Sequence, residues 1–323
     1  DLAASIQQHS ERLAARYIGH HLGPDRPRNL AIAGGLFANV RINQKLQEMP
    51  GVERIFIHPG MTDAGLAVGA ALTPCMHGFP NPSPWRRETL PSVYLGAEFS
   101  DTQIEGELTA NDLDYTRARD VESEIAQLLA EGHVVARFAG RMEYGPRALG
   151  NRSILYQPSD PSANDWLNTA LRRTEFMPFA PATLDEHAET SYQNTAGARE
   201  TARFMTITFD VTARTRQTCA GAVHIDGTAR PQLVRAADNP SFHRIIEAFY
   251  RITGVPTVLN TSFNMHEEPI VYSPADAVRA FLLGHLDYLA IGDFLVRSPT
   301  PITRRLQPML GLQEESGAAV YGR

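Results

Sequence analysis

The chain has 323 residues, of which 43% are hydrophobic and 20% charged, enough for a large core and more typical of two domains than of one. No run of about 18 apolar residues exists, so no membrane-spanning helix is expected; a net charge of -6 argues against a nucleic-acid binder that works by bulk charge. Two isolated cysteines, Cys75 and Cys219, have no metal-ligand spacing and suit a reducing cytoplasm.

In chain order, apolar spacing predicts a helix over Leu2 to His21. A short strand follows from Asn29 to Ala33 and runs into Gly34-Gly35. A helix from Ala38 to Glu48, a strand from Val52 to Ile57 and a small-residue helix from Asp63 to Leu72 continue the alternation. Alternation of this kind indicates α/β layering. Gly78, Pro80, Pro82 and Pro84 break the pattern, so 77–91 reads as a linker.

Beyond the linker, Asp101 to Leu108 is predicted as a helix capped by Ser100, and Val121 to Leu129 as another. A strand over His133 to Phe138 precedes a helix over Ser162 to Leu171. The alternation of Phe204 to Phe209 predicts a strand. Phe242 to Ile252 reads as a helix, Val255 to Leu259 as a strand and Ala275 to Leu283 as a helix, with a polar tail over 301–323.

Four segments carry chemistry. Arg141-Met-Glu-Tyr-Gly-Pro-Arg-Ala-Leu-Gly-Asn-Arg-Ser153 brings three guanidinium forks together among glycines, with only Glu143 as a local counter-charge. Guanidinium groups match phosphate and carboxylate oxygens, so an anion is the natural neutraliser; a solvated basic loop with structural ion pairs is the alternative, at about equal weight on chemistry alone. The strand ending in Asn260, Thr261, Ser262 and Asn264 places polar side chains where sheets hold ligands, or else makes ordinary turns. His224 to Arg230 contains a tight Asp226-Gly227 turn before Arg230. Arg172 to Pro181 suggests a rigid extended wall, in which Phe176, Met177 and Phe179 read as packing. In the first region, Gly34, Gly35 and Asn39 form a weak nucleotide cradle, and Asp63 is either a helix cap or a metal ligand.

Six blocks in this order resemble the O-carbamoyltransferase family of nodulation-factor and antibiotic-tailoring enzymes. They are LAIAGGLFANVRINQKL (30–46), DAGLAVGAAL (63–72), GRMEYGPRALGNRSIL (140–155), RTEFMPFAP (173–181), HIDGTARPQLV (224–234), and GVPTVLNTSFN (254–264) followed by EPIVYSPADA. The resemblance implies a mixed α/β chain in which residues 1–76 are the carboxyl-terminal part of an actin/hexokinase-like ATPase domain. Residues 92–300 would be a YrdC-like domain that makes carbamoyladenylate from carbamoyl phosphate and ATP. The first module would then pass the carbamoyl group to a hydroxyl of a small-molecule or natural-product acceptor.

The same resemblance implies roles for single residues. Arg141, Arg147, Arg152, Arg173 and Arg230 would surround the phosphate and carbamoyl groups. Asn260, Ser262 and Asn264 would hold ATP or the carbamoyl unit, Gly34, Gly35 and Asn39 would face the adenylate, and Asp63 would be a ligand of a divalent metal, Fe2+ or Mg2+. Three departures stand out: Leu171 and Arg172 where many members have a lysine, Met177 where many have arginine, and the lack of any His-x-x-x-His pair. The last implies that the chain begins inside the ATPase domain and works with the missing amino-terminal segment in cis or trans. A soluble cytoplasmic enzyme is expected, with no nucleic-acid or membrane partner and with homodimerisation open to it. Rival readings are a threonylcarbamoyl-adenylate-type tRNA-modification enzyme and a non-catalytic nucleotide-binding half of a split enzyme.

Overall fold

The computed structural model describes residues 2–22, 28–77, 90–173 and 178–302. The centre of the linker, Phe176 and Met177, and nearly all of the tail therefore lie outside the described residues.

The first region opens with helix α1 (Leu2–Leu22), strand β1 (Arg28–Ile32), helix α2 (Val40–Gln47), strand β2 (Val52–Ile57) and helix α3 (Leu66–His77). β1 and β2 pair in parallel, Ile32 opposite Ile57. α2 starts where Asn39 caps it, its side chain accepting the N–H groups of Arg41 and Ile42. The Asp63 segment is a single 3-10 turn, Asp63–Gly65, leading into α3.

The second region contains α4 (Asp101–Ala110), β3 (Tyr115–Arg117), α5 (Val121–Ala130), β4 (Val135–Phe138), β5 (Arg152–Tyr156) and α6 (Ala163–Ala170). After them come β6 (Ala180–Leu184), three short helices α7 (Ala188–Ser191), α8 (Arg199–Ala202) and α9 (Ala213–Thr218), and strands β7 (Phe209–Asp210), β8 (Thr228–Ala229) and β9 (Gln232–Val234). The last elements are α10 (Pro240–Thr253), β10 (Thr257–Ser262), α11 (Pro274–Leu283), β11 (Tyr288–Ile291) and β12 (Phe294–Arg297). Ser100 caps α4 in a reciprocal capping box with Gln103, as the sequence predicts. Asn239, Pro240 and the left-handed Gly254 bound α10.

Eight strands form one mixed sheet in the order β3-β12-β11-β4-β5-β10-β6-β9. The mixed α/β class expected from the alternation is the class observed. β10 is antiparallel to both neighbours, β5 and β6. Successive side chains of a strand point to opposite faces, and both faces here are covered. Ala136, Phe138 and Ile154 pack with Ile104 and Leu108 of α4 and Phe281 of α11. Val135, Leu155 and Val258 pack with Ile125 of α5 and Phe242 and Ile246 of α10.

A third core cluster joins the two regions. Ile32, Ile42, Leu46, Ile55 and Ile57 pack with Tyr192, Ala198, Ala202, Ile207 and Phe209. This explains why the strand predicted over Phe204 to Phe209 is realised only at Phe209–Asp210. Residues 204–208 cross between the regions instead. Their backbone is held by α2, with Asn43 Nδ2 donating to the Thr206 carbonyl at 2.7 Å and the Val40 carbonyl accepting from the Thr208 N–H at 3.4 Å. The alternating pattern there buries residues against two neighbours rather than against a sheet face.

Candidate functional site

The arginine-rich loop joins β4 to β5, two antiparallel neighbours. Its shape is set by Glu143. That buried carboxylate accepts the backbone N–H groups of Leu149 at 2.6 Å and of Asn151 and Arg152 at 3.2 Å each. Gly150 adopts φ +111°, and a Cβ there would overlap the Phe242 ring, so only glycine lets the loop lie on α10.

The three arginines of the loop part company. Arg152 is fully buried over the Phe138 ring, 3.6 Å from its centroid, and donates to the carbonyls of Ala139 and Gly140. Arg141 is exposed and donates to the carbonyls of Gly96 and Leu95 at 3.1 Å each. Of the three, Arg147 alone has no acceptor for its head group among the described residues, and its Nε is buried; Arg152 Nε is buried and unpartnered too, but its other nitrogens are engaged. An arginine outside the motif, Arg137, holds the loop's far end through Asn151 Oδ1 at 3.0 Å and Ser241 Oγ at 2.7 Å, and also donates to the Gly150 carbonyl. Burial pushes Arg137 and Arg152 down to about 10.

Arg230 lies within the electrostatic reach of Arg147. It follows β8 directly, and burial together with the Arg147 charge pushes its guanidinium down to about 9. Burial also lowers Arg147. Neither side chain forms an ion pair among the described residues. Two half-buried like charges without a carboxylate are costly unless a ligand neutralises them.

β10 supplies the adjoining wall. Asn260 is buried, with Nδ2 donating to the Ala148 carbonyl at 3.2 Å and to Gln232 Oε1 at 3.0 Å. At the strand's end Arg173 donates to Thr261 Oγ1 at 2.9 Å, to Ser262 Oγ at 3.2 Å and to Asn264 Oδ1 at 3.0 Å. Burial pushes Arg173 down to about 10. Four segments distant in sequence thus converge, bringing Arg147, Arg173, Arg230, Asn260, Ser262 and Asn264 onto one framework. Arg141 and Arg152 stand apart from it, engaged on backbone carbonyls. Gln232, Arg137 and the clasp made by Glu143 were not legible as parts of this framework. The nearest signal is that Gln232 lies two residues beyond Arg230.

The first region presents a separate cavity of about 490 Å3, lined by Ile32, Gly34, Phe56, His58, Asp63 and Leu66 among others. Gly34 bends there at φ +117°, its N–H donating to the Met61 carbonyl at 2.6 Å. Gly35 begins the next 3-10 turn, and Asn39 is engaged in capping α2 and in a 2.6 Å hydrogen bond to Gln7 Oε1. A divalent metal does not fit the residues described here. No group of three or more metal-capable side chains surrounds Asp63 among them. His58 is the other such side chain lining the cavity, and its Nδ1 accepts the Gly60 N–H at 3.1 Å. The neutral ring therefore carries its proton on Nε2, the nitrogen that would have to bind the ion.

The two sites share a seam. Tyr144 Oη donates to the Ala64 carbonyl at 3.4 Å, and its ring lies edge-on to His58 with centroids 5.9 Å apart. A Cβ on Gly60 would overlap the Tyr144 hydroxyl, and one on Gly145 would sit 2.8 Å from the Pro59 carbonyl oxygen.

Comparison with known proteins gives this geometry a family. Residues 126–298 match the family model described as carbamoyltransferase C-terminus, and residues 1–72 match carbamoyltransferase N-terminus. The nodulation protein NolO of Bradyrhizobium diazoefficiens is 38% identical over 302 residues, covering 92% of this chain and 54% of that protein. NolNO of Sinorhizobium fredii is 39% identical, covering 93% of this chain and 44% of its own. An uncharacterized protein of Methanocaldococcus jannaschii is 36% identical, covering 92% and 49%. The chain thus spans about half the length of the curated relatives it matches. Among solved structures, full-length HypF in its phosphate- and nucleotide-bound form aligns with a TM-score of 0.37 at 18% identity, over 58% of this chain and 22% of that one, too distant to carry an argument. No described helix is long and apolar enough to cross a membrane. With both family models matched in chain order and the carboxyl-terminal one covering more than half of its residues, the chain belongs to the carbamoyltransferase family.

Proposed function

We propose that the site around Arg147, Arg173 and Arg230 holds carbamoyl phosphate beside ATP and forms carbamoyladenylate. The observation that carries this reading is the pair of half-buried guanidinium groups, Arg147 and Arg230, which lack a carboxylate partner among the described residues while Arg147 Nε is itself buried and unpartnered. A multiply charged anion supplies the missing charge, and guanidinium forks meet phosphate oxygens in a bidentate geometry. Pre-organised arginines also stabilise charge that shifts between oxygens during phosphoryl and adenylyl transfer.

In this reading carbamoyl phosphate, ATP and one water give carbamoyladenylate, phosphate and pyrophosphate. The phosphate leaves carbamate, whose oxygen attacks the α-phosphorus and expels pyrophosphate. Arg147 and Arg230 hold the phosphate being released, while Arg173, Ser262 and Asn264 hold the nucleotide side. The acceptor hydroxyl then attacks the carbamoyl carbon, AMP leaves with the bonding pair, and the hydroxyl proton is lost. Glu143 keeps the loop closed so that water is excluded from a mixed anhydride that hydrolyses readily.

We assign the transfer step to the complete protein, in which the first region is joined by the segment upstream of it, with a small hydroxyl compound as acceptor. The seam at Tyr144 and Gly60 is the physical link between that region and the arginine loop. No step is routed through a metal, since the residues at Asp63 do not fit one.

Carbamoyl-phosphate-dependent exchange of labelled pyrophosphate into ATP tests the first step. The expected result is exchange by this chain and its loss in Arg147→Ala, with the fold retained by circular dichroism. Losing one such contact commonly costs about 2.7–4 kcal/mol of transition-state stabilisation. Wild-type exchange in Arg147→Ala would remove the loop from the site.

A further inference from the structure

The turn that leads into Arg230 also holds a histidine. The His224 N–H donates to the Thr228 carbonyl at 2.8 Å and closes the turn around Asp226 and Gly227. His224 Nδ1 lies 3.4 Å from Thr228 Oγ1, and that hydroxyl donates to Asp226 Oδ1 at 2.7 Å. A carboxylate only accepts, so the single hydroxyl proton is committed to Asp226, and Thr228 Oγ1 must accept from the ring. The neutral imidazole therefore carries its proton on Nδ1, and Nε2 keeps a bare lone pair. Nε2 makes no hydrogen bond among the described residues, and the side chain is only half-buried, so that lone pair is open to a ligand or a water.

The surroundings keep the ring in its basic, neutral form. Burial lowers His224 below its ordinary value, the charge of Arg230 lowers it further, and Asp226 opposes both. Asp226 stays a carboxylate: burial raises it, but the hydrogen bonds from Thr228 and the charge of Arg41 hold it below the usual range. Arg41 of α2 stands 3.8 Å from Asp226, and a Cβ on Gly227 would lie 2.8 Å from Nη2 of Arg216 on α9, so cations face this turn from both helices. A base whose ring is oriented by a third group, with its free nitrogen turned outward, is the arrangement that proton-transfer catalysis requires.

We propose that His224 is the general base for the water consumed in the first step, its Nε2 taking a proton from that water. The proposal rests on the anion-site reading above and supplies the group that reading lacks. The water oxygen bonds to the carbamoyl carbon, and the carbon–oxygen bond to phosphate breaks with its electron pair going to the phosphate. One water proton goes to Nε2 and the other to the departing phosphate. Carbamoyl phosphate dianion, water and imidazole thus give carbamate, hydrogen phosphate dianion and imidazolium, which returns its proton to solvent.

The test is the pH profile of phosphate release from carbamoyl phosphate by this chain in the presence of ATP. In wild type kcat/KM should fall on the acid side, with a midpoint below the 6.5 of an ordinary histidine. His224→Gln should lower kcat by ~100-fold or more, remove that acid limb and leave the KM for carbamoyl phosphate within about 3-fold of wild type. Ammonium carbamate bypasses the step, so with it the variant should exchange labelled pyrophosphate into ATP at the wild-type rate. A wild-type kcat, a retained acid limb, or loss of the carbamate-driven exchange as well would overturn the role of His224 and leave the anion site standing. Wild type that releases no phosphate and exchanges no pyrophosphate would overturn the carbamoyladenylate reading and this proposal together. Should His224→Gln not fold, Thr228→Val decides, since it keeps the ring and removes the acceptor of Nδ1: an acid limb moved to lower pH supports the proposal, and an unmoved one overturns it.

Discussion

Removing Arg230 should make the ligand-free protein more stable, not less. Burial and Arg147 lower its guanidinium from 12.5 to about 9. At 1.36 kcal/mol for each tenfold step in proton affinity, that displacement is on the order of 5 kcal/mol against the charged form in the empty site. Arg230→Met removes the charge and keeps a linear stem that fills most of the same space. Replacing buried ionic groups by apolar ones of similar volume is commonly stabilising by about 1–4 kcal/mol, and that is the gain expected in urea unfolding followed by circular dichroism. The opposite should hold with ligand present. A dianion at 100 times its dissociation constant stabilises wild type by about 2.7 kcal/mol, and Arg230→Met should lose most of that increment. A variant less stable than wild type without phosphate would show that Arg230 supports the fold, and the argument from an uncompensated pair would collapse.

Further outcomes follow from the same geometry. The stability gap between Arg230→Met and wild type should narrow as pH rises from about 8 to about 10.5. The folded pKa of Arg230 lies below its unfolded value, so the folded wild type sheds its unfavourable charge first and gains stability across that window; a constant gap would contradict the lowered pKa. Glu143→Ala strips the acceptor from three backbone N–H groups and should cost about 3 kcal/mol, roughly one for each. Glu143→Gln, which keeps one oxygen, should recover more than half of that in the same unfolding assay. Gly60→Ala should displace Tyr144 and weaken phosphate binding at Arg147. Adding Tyr144→Ala should relieve the clash, so that the two changes together disturb stability less than their sum. Fe2+ or Mg2+ titrated calorimetrically into this chain should bind no more tightly to wild type than to Asp63→Asn, because one carboxylate leaves the coordination shell to water.

Local pattern made much of this protein readable from its residues. Period and caps gave α4 with Ser100, α10 from Phe242 and α11 from Ala275, because amphipathic spacing and capping hydrogen bonds are satisfied within a few residues. The order of the family-like blocks singled out candidate segments, and the structure brings Arg147, Arg173, Arg230, Asn260, Ser262 and Asn264 onto one framework. Three arginines in one loop look alike in sequence, however. Tertiary contacts separate them: carbonyls engage Arg141 and Arg152, while the charge of Arg147 reaches Arg230, 83 residues further along. The segment from Phe204 alternates like a strand and is one only at its end, since α2 rather than a neighbouring strand binds the Thr206 carbonyl and the Thr208 N–H. Sequence fixes which groups are available and what each local stretch prefers. Which charges go unpaired depends on burial and on partners remote in the chain, and only the folded arrangement decides that.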